Sequence, residues 1–583
     1  RSNTQLGIYY RKAGDYEKAK SHLRKSLVRQ TSSYTRPADG ESMYNLGLIL
    51  KDEGKYADAV DTLYRAAWDY EYASAAYYQL AQISVVRGNA AQAVHEAEMA
   101  VAYNGMNIDA KNLLTTLSRK AGESERAAIL SGEVLEIDPL NYYASAEQLA
   151  LGLISKSEFA KLLRGVSESY LELALYYLNN GFESDAEAIL KDAESVKPYP
   201  TVEYWLGWFA DRNGDKDAAA KWFAAAEAGD MDYVFPFRLE TVKPLEKAIE
   251  YNPNAVMAWY YLGNLWYQKQ PAKAMSCWEK AVELKPDFAM ALRNLGWGCH
   301  YFTGDLRKGA DWYKKAIAAD KDGNAIFLTE CDEILEQLNA PLDERYEIFA
   351  GKESLYEKRY DSETRAIKLR ILKGEYEQVL DKLLTRFYSR REHIEDLHDI
   401  YVDACMLSGF REWKNGNNAK ALEYMLMTDE YPANHGYAHL EYYARDAQVY
   451  YNIGMAYEKV GDAAKAREYY EKAAAVEVKP VDCAYNYEKA LAMLKLDPKA
   501  NVNPMFREML SFGENSVTDY VERFFESFDY GPRPEDVNTK AYYIQGLAWK
   551  ALGKESKARG CFGKALGQRN DNVWANYYLN NIK

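Results

Sequence analysis

The sequence predicts an all-α protein in which helical hairpins stack into a superhelical solenoid, with roughly 14–16 hairpins along the chain. Three observations predict this fold class. Small residues recur at fixed offsets, the segments between turns have helical length and apolar periodicity, and no Gly-, Ser- or Pro-rich linker interrupts them. Because each unit of such an array packs only on its neighbours, 583 residues need not divide into globular domains.

The repeat is clearest in the segment that starts at Gly47. Gly54, Ala59, Leu63 and Ala66 follow this glycine at offsets of 7, 12, 16 and 19. The offset 7 residue lets the chain reverse, and the small residues let two helices approach around one large side chain. The same offsets recur from Gly7, Ala81, Ala174, Gly207, Gly454 and Gly546. Each match predicts a hairpin whose open apolar face is covered by the next one.

Other stretches follow the pattern less closely. Looser copies start at Gly263, Gly296, Gly374 and Gly409. We predict one continuous array over residues 1–583. Its parts are regular repeats in 1–139, degenerate helical segments in 140–166 and 324–352, repeats in 167–323 with a long link at 228–238, and repeats in 353–583 with long links at 385–398 and 429–446.

The offsets match the tetratricopeptide pattern, which often has a proline after the second helix, as at Pro139 and Pro286. The resemblance implies a two-helix repeat whose first helices line a concave groove. Proteins or peptides are the partners that it implies. A lysine and asparagine clamp for a chaperone's C-terminal carboxylate is not expected, because tyrosines hold the corresponding groove positions.

Charge and motifs exclude several function classes. The formal net charge of −14 argues against a nucleic-acid partner, and a solvated helix face explains the basic stretch from Lys18 to Arg29. No apolar run is long enough to span a bilayer. The sequence has no phosphate-binding loop, nucleophile elbow or Cys-x-x-Cys motif. We therefore expect neither an enzyme nor a cofactor.

The six cysteines are scattered, which is typical neither of a disulfide framework nor of a zinc site. They favour a reducing compartment such as the cytoplasm. The chain begins at Arg1 inside a helical pattern, so we expect its start to be missing. The sequence therefore gives no information on a signal peptide.

Aromatic residues recur at the positions of the first helix that face the groove. An aromatic groove suits an extended peptide or a sugar chain, because both stack on rings at low entropic cost. Packing between neighbouring hairpins is the alternative. The candidate groove residues are Tyr44, Tyr78, Tyr204, Trp208, Tyr260, Asn264, Trp297, His300, Trp413, Tyr451 and Tyr543.

The links between hairpins form a second candidate surface, because they emerge on one edge of a solenoid. The links 28–41, 228–238, 385–398 and 429–446 are longer than simple connectors. Imidazoles and carboxylates in adjacent links indicate either a polar docking edge or a divalent metal site, although no metal-binding signature is present. The candidate edge residues are Arg36, Asp39, Phe235, Phe237, Arg238, Glu392, His393, His398, His435 and His439.

Some strings go beyond the generic repeat. Residues 35–41 (TRPADGE) and above all residues 233–240 (YVFPFRLE) resemble the C-terminal repeat half of a bacterial family of uncharacterised proteins. In that family a β-sandwich domain, similar to carbohydrate-handling domains, precedes the repeats. The chain departs from the family at Glu392 and His393, where a Trp-Glu-Gly-Gly string is expected.

Two functions follow from these observations, and a purely structural spacer that binds no ligand is a third interpretation. The first is a non-catalytic scaffold that binds a protein, a peptide or its own N-terminal β-sandwich domain through the groove and the loop edge. The second is the repeat half of a carbohydrate-binding or carbohydrate-processing protein whose active domain precedes this chain.

Overall fold

The computed structural model describes residues 2–388, 397–436, 438–521 and 533–581. Every regular element in these ranges is helical, and none is a strand, which confirms the predicted all-α fold class. The helices group into two compact units, Arg1–Pro286 and Asp287–Lys583. Continuity of the array across both units stays a prediction.

The first unit is a stack of antiparallel hairpins. Its described helices are α1 (Ser2–Lys12), α2 (Tyr16–Gln30), α3 (Glu41–Asp52), α4 (Tyr56–Ala66), α5 (Tyr70–Val86), α6 (Ala90–Tyr103), α7 (Ile108–Lys120), α8 (Ser124–Ile137), α9 (Tyr142–Ala150), α10 (Lys156–Leu163), α11 (Ser167–Asn179), α12 (Glu183–Val196), α13 (Pro200–Arg212), α14 (Lys216–Ala228), α15 (Val242–Tyr251), α16 (Val256–Trp266) and α17 (Pro271–Leu284).

The second unit is built in the same way. Its described helices are α18 (Ala289–Gly298), α19 (Leu306–Ala319), α20 (Ala325–Gln337), α21 (Leu342–Phe349), α22 (Glu353–Tyr356), α23 (Tyr360–Leu372), α24 (Tyr376–Thr385), α25 (Leu397–Lys414), α26 (Asn418–Met427), α27 (Asp446–Val460), α28 (Ala463–Ala475), α29 (Asn486–Leu496), α30 (Asn503–Asn515), α31 (Pro534–Ala551), α32 (Glu555–Gln568) and α33 (Val573–Asn581).

The small residue of the motif lies where the large residue at offset 16 packs. A Cβ built on Gly207 would lie 2.5 Å from Cε1 of Phe223, and one on Gly454 would lie 2.7 Å from Cδ1 of Tyr470. Such distances are too short for real Cβ contacts, so glycine is what allows each ring to lie over the first helix. Gly214, at offset 7, reverses the chain with φ +83°.

The first helices form the inner layer of each unit. In the first unit α3 packs on α1 and α5, and in the second α29 packs on α27 and α31. Within the first unit the stack returns on itself, because the Gln270 side-chain amide donates a hydrogen bond to the Ala13 carbonyl oxygen at 2.9 Å. This curvature brings side chains of distant first helices together.

One hairpin of the first unit has no first helix. The sequence predicts a long link here, and residues 229–238 of the structure form neither a helix nor a strand; the 3-10 helix Leu239–Thr241 follows them and leads into α15. Leu245 and Ala248 of α15 are buried, and α15 packs on α13 and α16 as a second helix would. Pro236 lacks an amide hydrogen, and Tyr233 has φ +62°, so this stretch is not helical. We call residues 229–238 the extended segment.

Candidate protein-binding surfaces

Two of the predicted groove tyrosines of the first unit are packed between hairpins. Tyr204 is 1% exposed, and Tyr260 is also buried. The Tyr204 hydroxyl donates to Glu227 Oε1 at 2.7 Å. The carboxylate of Glu227 in turn accepts hydrogen bonds from the backbone N–H groups of Met257 and Ala258 at the start of α16. Tyr204 therefore helps to join three helices, in line with the packing alternative.

The other predicted groove residues of this unit are half-buried. Tyr78 donates from its hydroxyl to Asn180 Oδ1 at 2.9 Å, across the inner layer from α5 to the end of α11. Asn264 Oδ1 accepts from the Trp278 indole at 3.0 Å. The Arg212 guanidinium lies over the Trp208 ring, 4.7 Å from its centroid. The remaining member of this set is Tyr44, whose ring centroid is 5.6 Å from that of Tyr72.

The extended segment presents three exposed aromatic side chains. Tyr233, Phe235 and Phe237 are 85%, 68% and 56% exposed, respectively. Val234 and Pro236, which alternate with them, are buried. Because side chains alternate between two faces in extended backbone, one face fixes the segment to the unit and the other holds the rings in solvent.

Polar contacts hold this segment in place. The Tyr199 hydroxyl donates to the Tyr233 carbonyl oxygen at 3.2 Å, and the Lys269 ammonium donates to the Phe237 carbonyl oxygen at 2.8 Å. Arg238 forms an ion pair with Glu168 at 2.7 Å, and its guanidinium lies 4.2 Å from the centroid of the Phe237 ring. The exposed rings are therefore presented by backbone that is fixed before any partner binds.

Trp297 and His300 lie at the end of the first helix of a hairpin in the second unit. The Trp297 ring stacks on Tyr301 at a centroid distance of 4.3 Å, and His300 Nε2 is 3.1 Å from Gln337 Oε1. A cavity of about 430 Å³ opens beside His300 and Tyr301. Its lining consists of His300, Tyr301, Leu306, Gln337, Arg533, Glu535, Gln568 and Arg569.

The other predicted groove residues of the second unit lie on α25, α27 and α31. Tyr451 lies 6.0 Å from Tyr470 between ring centroids, and Trp413 lies 5.3 Å from Phe410. Tyr543 approaches Tyr578 of α33 at 6.3 Å. The aromatic face of α33 is a feature that the repeat motif does not predict, since the motif ends with α32.

Buried charges lie beneath α33 in the inner layer. Arg445 is buried and forms an ion pair with Asp399 at 2.8 Å and a second, short one with Asp403. Asp403 Oδ1 also accepts from the Trp574 indole at 2.8 Å. Glu488 is buried nearby, with its carboxylate 3.4 Å from the amide of Gln448. Burial raises the pKa of Glu488 to about 7.

This raised pKa predicts how the stability of the second unit depends on pH. Glu488 binds a proton more tightly in the folded chain than in the unfolded chain, where its pKa is about 4.5. Protonated Glu488 therefore contributes its full stabilisation of the folded chain below pH 4.5. This contribution is lost as the pH rises to about 7, which lowers the free energy of unfolding by up to about 3 kcal/mol. Urea denaturation between pH 4.5 and 8 measures this loss. We expect Glu488→Gln to make the profile less steep, with a slope remaining from Glu363, whose pKa burial also raises to about 7. The exposed Glu508→Gln should leave the profile unchanged, and equal profiles for all three proteins would contradict the assignment.

The structure brings three predicted edge histidines together around two tyrosines: His398 and His439 contact Tyr431, and His398 and His435 contact Tyr401. His398 is buried and stacks on Tyr431 at 3.9 Å, and burial lowers its pKa to about 4. His435 is buried and donates from Nε2 to the Leu383 carbonyl oxygen at 2.7 Å. His439 lies 3.0 Å from Asp446 Oδ2. Glu392 and His393 lie outside the described residues. Within the ranges that the structure covers, no group of three or more His, Cys, Asp or Glu side chains is placed to hold a metal ion.

The remaining edge residues, Arg36 and Asp39, are exposed in the link before α3. The Arg36 guanidinium lies over the Trp68 ring at 4.5 Å, and Asp39 Oδ1 accepts from the backbone N–H of Glu41 at 3.2 Å. None of the described helices is both long enough and apolar enough to span a bilayer.

Comparison with known proteins identifies the repeat. Family models described as tetratricopeptide repeat match residues 1–67, 171–233 and 447–477. These matches cover parts of both units. The chain therefore contains tetratricopeptide repeats, as the offsets predict.

Several solved structures align with the chain at low identity. The Naa15/Naa10 complex bound to HypK shares 14% identity over 99% of this chain and 95% of that chain, with a TM-score of 0.22. The Cut9–Hcn1 hetero-tetramer of APC/C shares 12% over 99% and 95%, with a TM-score of 0.23. YrrB, described as a tetratricopeptide protein with an unusual peptide-binding site, shares 18% over 39% and 93%, with a TM-score of 0.15. Superpositions at these scores carry no inference about what this chain binds.

Proposed function

We propose that this chain is a non-catalytic scaffold that binds polypeptide partners, and that the extended segment of the first unit is a principal contact surface. Tetratricopeptide repeats generally serve as protein–protein interaction scaffolds, and this chain contains them. The main support for the proposal is that Tyr233, Phe235 and Phe237 are exposed, although the backbone that bears them is held by contacts with the rest of the first unit.

Rings held in this way favour binding for two reasons. Transfer of exposed apolar surface out of water is favourable, and aromatic residues with few rotatable bonds lose little entropy when a partner covers them. The contacts of Tyr199, Lys269 and Arg238 fix the segment before the encounter. With a net charge of −14 on the whole chain, neutral or basic partners are favoured over acidic ones.

A polypeptide fits these surfaces better than a carbohydrate. Sugars stack on flat ring faces, and arginine guanidinium groups already lie over Trp208 and Phe237. A folded domain of the same polypeptide, such as a β-sandwich that precedes the repeats, is one form that the polypeptide partner can take. The repeat half of a carbohydrate-processing protein is the second candidate function, and the test below separates the two.

The test is a selection of short peptides that bind the whole chain, with glycan arrays run in parallel. The variant Tyr233→Ser/Phe235→Ser/Phe237→Ser removes the exposed rings. It keeps Val234 and Pro236, the buried residues between them. We expect the affinity of selected peptides to fall by tenfold or more in this variant, because aromatic anchors dominate binding free energies.

A matched control is Tyr34→Ser, which removes an equally exposed tyrosine from another link of the same unit. We expect it to bind the peptides as the unaltered chain does. Peptides that bind the triple variant with full affinity would contradict the assigned surface. Glycan binding without peptide binding would favour the second candidate function.

A further inference from the structure

The last described helix, α33, lies on the inner layer of the second unit. Trp574 donates from its indole to Asp403 of α25 at 2.8 Å. Tyr577 stacks on Phe410 of the same helix with ring centroids 4.9 Å apart. Tyr578 directs its hydroxyl to Glu488 of α29 at 3.4 Å. Three aromatic residues at positions i, i+3 and i+4 thus make one face of α33 the contacting face.

Covering the last hairpin of the repeat stack does not explain all the contacts of α33. A terminal cap needs to cover only the hairpin before it, here α31 and α32, and Tyr578 does stack on Phe562 of α32 at 5.5 Å. Trp574 and Tyr577 instead reach α25, more than 160 residues earlier in the chain. They join the apolar cluster of α23 to α27 from its inner side. The helix therefore occupies the surface on which a bound helix would lie.

The helix is also the kind of element that opens locally. It has nine residues, which is too short for a helix to be stable by itself in water. Ala575 is its one fully buried residue among those described, and Trp574, Tyr577 and Tyr578 are each half-buried. The chain just before it is held firmly, since Asp571 pairs with Arg345 at 2.9 Å. Opening can therefore be confined to α33 while the rest of the unit keeps its structure.

From these contacts we infer that the inner face of the second unit recognises an amphipathic helix with aromatic residues at i, i+3 and i+4. In the folded chain α33 holds this place, and a partner helix with the same pattern displaces it. The inference rests on the proposed polypeptide-binding function and adds the class of partner and its competitor. Asp403 serves as the acceptor for an indole donor, and Phe410 and Tyr543 provide ring contacts.

Because α33 and a free helix compete for the same face, the affinity measured for a free helix depends on how often α33 leaves that face. A tethered segment has an effective concentration of the order of millimolar, so it lowers the apparent affinity for a free helix of equal intrinsic affinity. The apparent dissociation constant equals the intrinsic one divided by the fraction of molecules in which the face is open. Weakening the contacts of α33 should therefore strengthen the binding of a free helix.

The test uses the full chain and a fluorescent peptide with the sequence of residues 572–581. We expect the variant Trp574→Ala/Tyr577→Ala to bind this peptide at least tenfold more tightly than the unaltered chain does, measured by fluorescence anisotropy. Adding Phe410→Ala to that variant should reverse the gain. The control Trp312→Ala removes a half-buried tryptophan of α19 and should leave binding as in the unaltered chain.

Equal affinity in the opened variant and the unaltered chain would overturn the inference. A second measurement needs no variant. Amide hydrogen exchange in α33 of the unaltered chain should be faster than in α31 and α32, and equal protection of the three helices would overturn it. Concentration-dependent dimers that the peptide dissociates would assign the face to a second copy of the chain instead. None of these outcomes alters the peptide selection on Tyr233, Phe235 and Phe237, so the two proposals fail separately.

Discussion

Replacing Gly546 with alanine is expected to destabilise the last hairpin of the second unit by about 1–3 kcal/mol. Gly546 is the small residue of the motif on α31, and a Cβ at this position would lie 2.5 Å from Cε1 of Phe562. The Phe562 ring is fully buried, so it cannot move away without disturbing its neighbours. Urea denaturation, followed by pulsed hydrogen exchange of α31 and α32, measures the effect.

The matched control is Gly560→Ala on the partner helix α32. A Cβ at Gly560 meets nothing within 4 Å, and the position is exposed. Alanine is favoured over glycine in an open helix position, so we expect stabilisation by up to about 1 kcal/mol. The two substitutions are chemically identical and should have opposite signs. Equal effects would show that α31 and α32 do not approach at Gly546.

Replacing Arg345 with alanine is expected to cost about 3–5 kcal/mol, because it leaves buried carboxylates without a principal partner. Arg345 is 2% exposed, and its guanidinium contacts Asp332 at 2.7 Å and Asp571 at 2.9 Å. Nearby cations, Lys368 first and Arg345 next, hold the pKa of Asp571 well below its ordinary range. Loss of Arg345 should also weaken the anchor of α33, with Lys368 remaining 3.5 Å from Asp571.

An exposed ion pair supplies the control for this substitution. Arg467 and Glu471 of α28 lie 3.0 Å apart and are both largely exposed. Arg467→Ala should change the free energy of unfolding by less than about 0.5 kcal/mol, because water screens such pairs. A small effect of Arg345→Ala, comparable to that of Arg467→Ala, would mean that the Asp571 anchor does not stabilise the second unit.

The hairpins were predictable because their signal is local. A small residue and a large one, 16 positions apart, must meet for two helices to pack, and the contact of Gly207 with Phe223 is this pair in the structure. The turn at Gly214 follows from the same offsets, since its φ of +83° suits glycine. Both constraints act within one repeat, so the sequence alone contains them.

The exposure of the candidate site residues was less predictable because it depends on distant parts of the chain. Tyr78 is tied to Asn180, and α33 meets α25, through contacts that span about a hundred residues or more. Residues 233–237 are all aromatic, aliphatic or proline, so the sequence alone does not show which of them face solvent. Pro236 was the usable signal, because proline disfavours a helix in this link. No motif indicates that α33 returns to the inner layer of its own unit.

The proposed scaffold function is tested most directly by hydrogen exchange of the whole chain with and without a selected peptide. We expect bound peptide to protect the amides around Tyr233, Phe235 and Phe237 and those of neighbouring first helices. Protection confined to the outer second helices, or no change at any site on addition of saturating peptide, would contradict the account.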